Sequence, residues 1–139
     1  MNKSNIESHV TSLELSKMLR DTGLELKTQF YWRFSNDGGS EREIRSIDGG
    51  TVPHEDNEYA GCVAAPLASE LLEALPTYFA LTRDENGMYL CEDMRSDGKK
   101  FLIASQKNAA DACGSTWYWL NYIEQCEKTG ERPYNPFEV

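Results

Sequence analysis

The sequence predicts an α+β fold in which an antiparallel sheet has helices packed mainly on one face. Three segments carry apolar residues at three- and four-residue intervals, which is typical of helices. Five shorter segments are rich in aromatic and branched residues and predict strands. Short turn-forming links within each run of strands make neighbouring strands antiparallel. The predicted element order is α-β-β-α-β-β-β-α, and one sheet with a helical layer is the simplest packing for it.

The first helix is predicted over about residues 12–22. Thr11 is the expected N-cap, and Glu14 three residues later completes a capping box, in which the two residues satisfy each other's backbone N–H groups. The apolar stripe ends at Leu19, and Gly23 then supplies the left-handed residue at which many helices end. We expect this helix to dock through its apolar stripe.

The next two strands are predicted over residues 29–34 and 43–47. In the first, aromatic residues occupy alternate positions, so Trp32 and the residues two positions away face the core. In the second, two isoleucines lie three positions apart, which breaks the alternation and indicates a bulge. Residues 48–59 are rich in glycine and acidic residues and are predicted to form a loop.

A second helix is predicted to open at Ala65-Pro66, because proline is favoured at the first helical position, and to end at Pro76. Three strands joined by glycine-containing hairpin turns are expected to follow, over residues 78–82, 88–92 and 100–104. Ser105 is the expected cap of a long final helix from about residue 106 to 128, which Gly130 ends. Its predicted inner face has helical spacing: Ala109, Cys113, Thr116, Leu120 and Ile123.

A chain of 139 residues suits one acidic domain, 1–139, which we expect to be frayed over residues 1–10 and loosely held over 130–139. No apolar run approaches the ~18 residues of a membrane span, and the first residues lack the apolar stretch of a secretion signal. The four cysteines have no metal-binding spacing, and the chain has two histidines. We therefore expect a cytoplasmic protein with reduced thiols, no metal and no cofactor.

The negative charge is concentrated in the middle of the chain. The formal net charge is −9, and residues 41–76 hold eight acidic and two basic residues. This balance opposes direct nucleic-acid binding, which requires a basic surface. It suits a host or phage protein with a basic surface, and the acidic loop supplies the expected contacts: Glu55, Asp56 and Glu58. A surface acidic only for solubility is the other interpretation.

The final helix carries more large aromatic residues than one core-facing stripe can hold. Residues 117–119 are consecutive aromatics and span some 200° of a helix. We therefore expect Tyr118, Trp119 or Tyr122 to be partly exposed and to contact a partner, either another protein or a second copy of the chain in a homodimer.

Signatures of catalysis are missing from the sequence. It contains no G-x-S-x-G, Walker or H-E-x-x-H motif, and its two glycine doublets have the surroundings of turns. Cys62 and His54 could pair as nucleophile and base, but the sequence marks no third residue that would orient them. We assign no catalytic residue.

Four short motifs resemble those of a group of small uncharacterised proteins from bacteriophages and prophages. They are S-x-E-L-x-x-x-L at residues 12–19, F-Y-W at 30–32, A-P-x-x-x-E-L-x-x-x-L-P at 65–76 and A-D-A at 110–112. The resemblance extends over most of residues 11–125. It implies a cytosolic phage accessory protein in the host cell and supplies no reaction.

Two hypotheses of function follow. The first is a phage-type accessory protein that acts by protein–protein interaction, for example as an acidic inhibitor of host nucleic-acid-handling defence machinery, in the manner of an anti-CRISPR protein. The alternative is a small-molecule or nucleotide-processing enzyme with a site assembled from dispersed residues. A deep pocket that contains a perturbed His54 or Cys62 would favour the enzyme.

Overall fold

Three helices and six strands make up the described part of the computed structural model, which covers residues 6–24, 26–35, 42–47, 52, 60–96 and 99–130. For residues 60, 96 and 99–103 only the backbone is described. In chain order the elements are α1 (Leu13–Asp21), β1 (Phe30–Ser35), β2 (Arg42–Ser46), β3 (Ala60–Ala64), α2 (Ala68–Ala74), β4 (Phe79–Arg83), β5 (Tyr89–Ser96), β6 (Lys99–Gln106) and α3 (Ala109–Thr129). The predicted α+β class is confirmed.

The strands form two three-stranded antiparallel sheets, where we expected one sheet. In the first sheet the order is β2-β1-β3, and in the second it is β4-β5-β6. The predicted elements occur in the predicted order, with β3 added between β2 and α2. The pairing of β1 with β2 is regular, from Phe30 opposite Ser46 to Phe34 opposite Arg42, so the expected bulge is missing from this pair.

Two apolar cores lie on either side of α1. Leu13 belongs to the first core, which is built on the β2-β1-β3 sheet around the buried Trp32. Leu15 and Leu19 belong to the second core, which joins the three helices to β4 and β5. Because successive residues of one short helix enter different cores, α1 couples the two sheets.

Hydrogen bonds from several elements converge on the turn before α1. Thr11 donates its backbone N–H to the carbonyl of Pro66 at 3.0 Å, and the indole Nε1 of Trp32 donates to the carbonyl of Thr11 at 2.8 Å. Val10 is fully buried and forms a β-bridge with Leu67, and Ile6 packs against the first core, so the fraying expected over residues 1–10 is wrong at these two residues. Residues 1–5 lie outside the described residues. We call residues 10–12 the junction segment.

The start of α3 closes the junction segment from the other side. The side-chain amide of Asn108 donates to the carbonyl of Val10, and the carboxylate of Asp111 accepts the backbone N–H of Ser12, both at 2.8 Å. A buried N–H that loses its acceptor costs about 1–3 kcal/mol. Each of the four motifs that carry the phage resemblance contributes one residue to these hydrogen bonds: Ser12, Trp32, Pro66 and Asp111. These motif residues therefore have structural roles.

Both N-caps predicted from hydroxyl residues were wrong. Ser12, not Thr11, caps α1 by accepting the N–H of Leu15, while the Thr11 hydroxyl shares a 2.6 Å hydrogen bond with that of Ser16. Asn108, not Ser105, caps α3, because β6 continues through Gln106 and leaves Ser105 inside a strand. The tertiary contacts of the junction segment decide between neighbouring residues with similar capping ability.

Pro66 lies before α2 and not at its first position. Leu67 is the N-cap residue, and its backbone N–H is accepted by the Glu70 carboxylate at 2.8 Å. The carbonyl of Pro66 is held by Thr11 instead. The predicted ends of the other two helices are confirmed by left-handed glycines, Gly23 after α1 and Gly130 after α3.

The N-terminal part of α3 contains a run of small residues that are buried on every side of the helix. Residues 112–116 are all buried, and Gly114 lies against the side chains of Leu15 and Leu19 in α1. The predicted inner face was therefore too narrow, although Cys113 and Thr116 are buried as expected. The second half of α3 is buried mainly at Cys126, and its other residues are half-buried or exposed. In the described part of the chain, no helix is long and apolar enough to cross a membrane.

Candidate functional site

The sequence named two sets of partner-binding residues, and the structure describes one of them. Tyr118, Trp119 and Tyr122 lie around the middle of α3, and all three are half-buried. Glu55, Asp56 and Glu58 lie outside the described residues. The geometry of a candidate surface can therefore be built around α3.

Two shallow grooves run along the outward side of α3. The groove beside α1 has a volume of about 180 Å³ and includes Met18, Asp21, Tyr118 and Tyr122. The groove beside α2 has a volume of about 170 Å³ and includes Pro76, Trp117, Leu120 and Glu124. Asn121 lines both and forms the ridge between them. We call this ridge with its two grooves the α3 outer face.

The aromatic rings of the α3 outer face are fixed in place by contacts with the protein. Trp117 and Tyr118 pack against the second core, so only part of each ring faces solvent. Tyr122 lines one groove and contacts Trp119, one turn earlier, with ring centroids 5.8 Å apart and planes at 35°. Trp119 itself is not among the described residues that line either groove. Rings fixed in this way lose little conformational entropy when a partner covers them, and this is why aromatic residues are favoured in interfaces.

Each groove also contains one exposed carboxylate. Asp21 accepts a 3.2 Å hydrogen bond from Nε of its neighbour Arg20, and both side chains are exposed. Glu124 lies 3.6 Å from the ammonium group of Lys128, one turn further along α3, and both are largely in solvent. Exposed ion pairs of this kind contribute about 0–1 kcal/mol, so a partner's cation can replace either one at small cost.

A larger cavity lies elsewhere in the described part of the chain, in a region where the sequence predicted no site. It is an open cleft of about 640 Å³ between the C-terminal half of α1, residues 24 and 26–28, and β3. We call it the α1–β3 cleft. It includes Cys62, whose side chain is half-buried. The sequence did not predict the cleft because one of its walls is β3, a strand that was not predicted. The alternate leucines Leu24 and Leu26, which both line the cleft, were the one local sign of an apolar surface.

The enzyme hypothesis requires Cys62 or His54 in a deep pocket. Cys62 lines the α1–β3 cleft, and His54 lies outside the described residues. The other three thiols are buried, and a hydrogen bond with Cys91 together with burial raises the pKa of Cys113. Among the described residues, no group of three or more His, Cys, Asp or Glu side chains could hold a metal ion.

No protein-family profile, curated protein or solved structure matches this chain.

Proposed function

We propose that this protein is a phage-type accessory protein that acts by binding another protein through the α3 outer face, with a basic surface as the partner. The observation that carries this proposal is the combination of half-buried aromatic rings and one exposed carboxylate in each of two adjacent grooves. The binding chemistry does not depend on a catalytic group.

The grooves fit the side chains of arginine and lysine. A guanidinium group stacks on an aromatic ring and also donates hydrogen bonds to a carboxylate, and both partners are within one groove in the pairs Tyr118–Asp21 and Trp117–Glu124. The two grooves flank one helix, so two basic residues of a partner could enter together.

The overall charge favours the same class of partner. A net charge of −9 attracts a basic surface over a distance and speeds the encounter, while the grooves provide the short-range fit. Proteins that handle nucleic acids carry such basic surfaces. Inhibition of nucleic-acid-handling defence machinery of the host cell, in the manner of an anti-CRISPR protein, is therefore the form of the proposal that also agrees with the phage resemblance.

A titration with an oligoarginine peptide, followed residue by residue by NMR, tests the binding surface. We expect the largest chemical-shift changes at Trp117, Tyr118 and Asn121, which line the grooves, with affinity that falls as salt is added. The double variant Asp21→Asn/Glu124→Gln should weaken binding more than the matched control Glu7→Gln/Glu85→Gln, which removes the same charge from exposed positions outside the grooves.

The same titration can contradict the proposal. Shift changes spread evenly over the acidic residues, or equal weakening by the two double variants, would show that only net charge matters. Self-association through the α3 outer face would instead appear as a sedimentation coefficient that increases with protein concentration and returns to the monomer value in Tyr122→Ala/Gln125→Ala, because both residues line a groove of this face.

A further inference from the structure

The α1–β3 cleft has the size and the walls of a small-molecule site. Its volume of about 640 Å³ lies within the range of about 300–1,000 Å³ that is usual for ligand pockets. Most of its described lining is aliphatic. Leu19 belongs to the second core and Val63 to the first, and the lining also includes Leu24, Leu26 and Ile47. Such walls favour an apolar chain or ring.

The charges that line the cleft are opposite to those of the protein as a whole. The chain has 23 acidic and 14 basic residues, yet the described residues around the cleft include Arg20 and Lys27 and no acidic residue. Both cations are exposed, Arg20 near the end of α1 and Lys27 in the segment that follows it. A ligand with an anionic group could therefore place that group beside them.

The other polar side chains of the cleft are already engaged. The Ser16 hydroxyl is hydrogen-bonded to Thr11, and the Thr28 hydroxyl donates to the carbonyl of Phe30 at 3.2 Å. Within the described residues, Arg20 has one ion-pair partner, Asp21, through Nε, and Lys27 has none. The two cations are thus the groups best able to bind a charged ligand.

We propose that the α1–β3 cleft binds a small anionic amphiphile, an apolar chain that carries a single carboxylate. The chain lies against the leucine and valine side chains, and the carboxylate pairs with Arg20 and Lys27 at the rim. This site is separate from the α3 outer face, so either proposal can fail without the other.

Three nonyl probes with different head groups test this. Decanoate, decanamide and nonyltrimethylammonium carry the same nonyl chain with negative, neutral and positive heads. By calorimetry we expect decanoate to bind most tightly and nonyltrimethylammonium not to bind. Arg20→Met/Lys27→Met should weaken decanoate at least about tenfold, because two charge-assisted contacts are lost, and should change decanamide little.

A matched control and a second readout keep the test independent of folding. Lys107→Met/Lys128→Met removes two positive charges outside the cleft and should leave decanoate binding unchanged. Cys62 is the one cysteine of the chain that is not buried, so its alkylation by iodoacetamide reports on the cleft. Decanoate should slow this alkylation in the wild type and in the control variant.

Four results would each overturn the proposal. They are the absence of decanoate binding, equal affinity for the three head groups, unchanged decanoate binding in Arg20→Met/Lys27→Met, and an alkylation rate of Cys62 that decanoate does not alter.

Discussion

Two buried residues in α3 show that the surroundings of a hydroxyl group decide what it contributes to the stability of the fold. Ser115 and Thr116 are adjacent, and both are buried. The Thr116 hydroxyl donates to the carbonyl of Ala112 at 2.9 Å, whereas the Ser115 hydroxyl is buried without a hydrogen-bond partner among the described residues. The sequence could not distinguish these two hydroxyls, because both occur in the same helical turn.

This contrast leads to a paired prediction. Ser115→Ala should raise the free energy of unfolding by up to about 1 kcal/mol, since it removes a buried polar group that has lost its water, and Thr116→Ala should lower it by about 1 kcal/mol or more. Urea unfolding with an unchanged m-value measures both. A loss of stability in Ser115→Ala would show that its hydroxyl has a partner.

Gly114 gives a second prediction at the residue scale. An added Cβ would lie 3.0 Å from a methyl group of Leu15, 3.1 Å from that of Thr11 and 3.3 Å from one of Leu19. All three neighbours are buried and have little room to move. We expect Gly114→Ala to lower the free energy of unfolding by about 1–3 kcal/mol from overpacking, although alanine favours the helix by about 1 kcal/mol.

The check is a thermal unfolding curve for Gly114→Ala beside that of Ser115→Ala, which substitutes alanine in the next residue of the same helix. A melting temperature for Gly114→Ala equal to or above that of the wild type would show that α1 and α3 can separate without cost.

The four cysteines give a third prediction at this scale. Iodoacetamide should modify Cys62 alone in the native protein, because Cys91, Cys113 and Cys126 are buried. Mass spectrometry should show one adduct per chain under native conditions and four in urea. Two or more adducts in the native state would contradict the burial of these thiols.

Contacts between segments far apart in the chain are where the sequence was least informative. The first sheet depends on the pairing of β1 with β3, which are separated by 24 residues and were not recognised as partners. β3 itself consists of small residues around Val63 and lacks the aromatic enrichment that identified β1. The aromatic strand β1 and the hairpins of the second sheet were predicted because their signals are local: alternation in one case and the left-handed Gly87 in the other.

The same division explains the candidate sites. The aromatic excess on α3 is a local pattern, so Tyr118, Trp119 and Tyr122 could be named from the sequence. The two grooves beside them and the α1–β3 cleft are formed by segments far apart in the chain, and no local pattern marks their meeting.

The contact between Asp111 and α1 predicts an unusual dependence of stability on pH. Burial, partly offset by hydrogen bonds from Ser12, raises the pKa of Asp111. The folded state therefore keeps this proton more readily than the unfolded state, and the contribution of Asp111 to stability decreases as the pH rises above about 4, the unfolded pKa. Asp111→Asn retains an oxygen for the Ser12 N–H without titrating, so its stability relative to the wild type should increase over that range.

Asp93 provides the opposite case as a control. Hydrogen bonds from Arg95 lower the pKa of Asp93, so its contribution is present above the unfolded pKa of about 4 and is lost as the pH falls below it. Relative to the wild type, Asp93→Asn should therefore become less stable as the pH rises through this lower range. Urea unfolding at a series of pH values separates the two, and a relative stability of Asp111→Asn that decreases with pH would contradict the assignment.

The whole molecule presents two surfaces of different chemistry. The α3 outer face combines aromatic rings with carboxylates, and the α1–β3 cleft combines aliphatic walls with cations. The two surfaces meet at the end of α1, where Arg20 lines the cleft and its ion-pair partner Asp21 lines a groove of the α3 outer face. The net charge of −9 attracts a basic partner to the α3 outer face and repels an anionic ligand from the cleft. Because salt screens this attraction, added salt should weaken the binding of a basic partner to the α3 outer face.

Affinity capture from bacterial lysate with quantitative mass spectrometry tests partner binding through the α3 outer face most directly. The wild type and Glu7→Gln/Glu85→Gln should retain the same basic protein, with enrichment that falls as salt increases, and Asp21→Asn/Glu124→Gln should lose it. Retention of that protein by Asp21→Asn/Glu124→Gln, or capture of no basic protein by the wild type, would contradict the proposal.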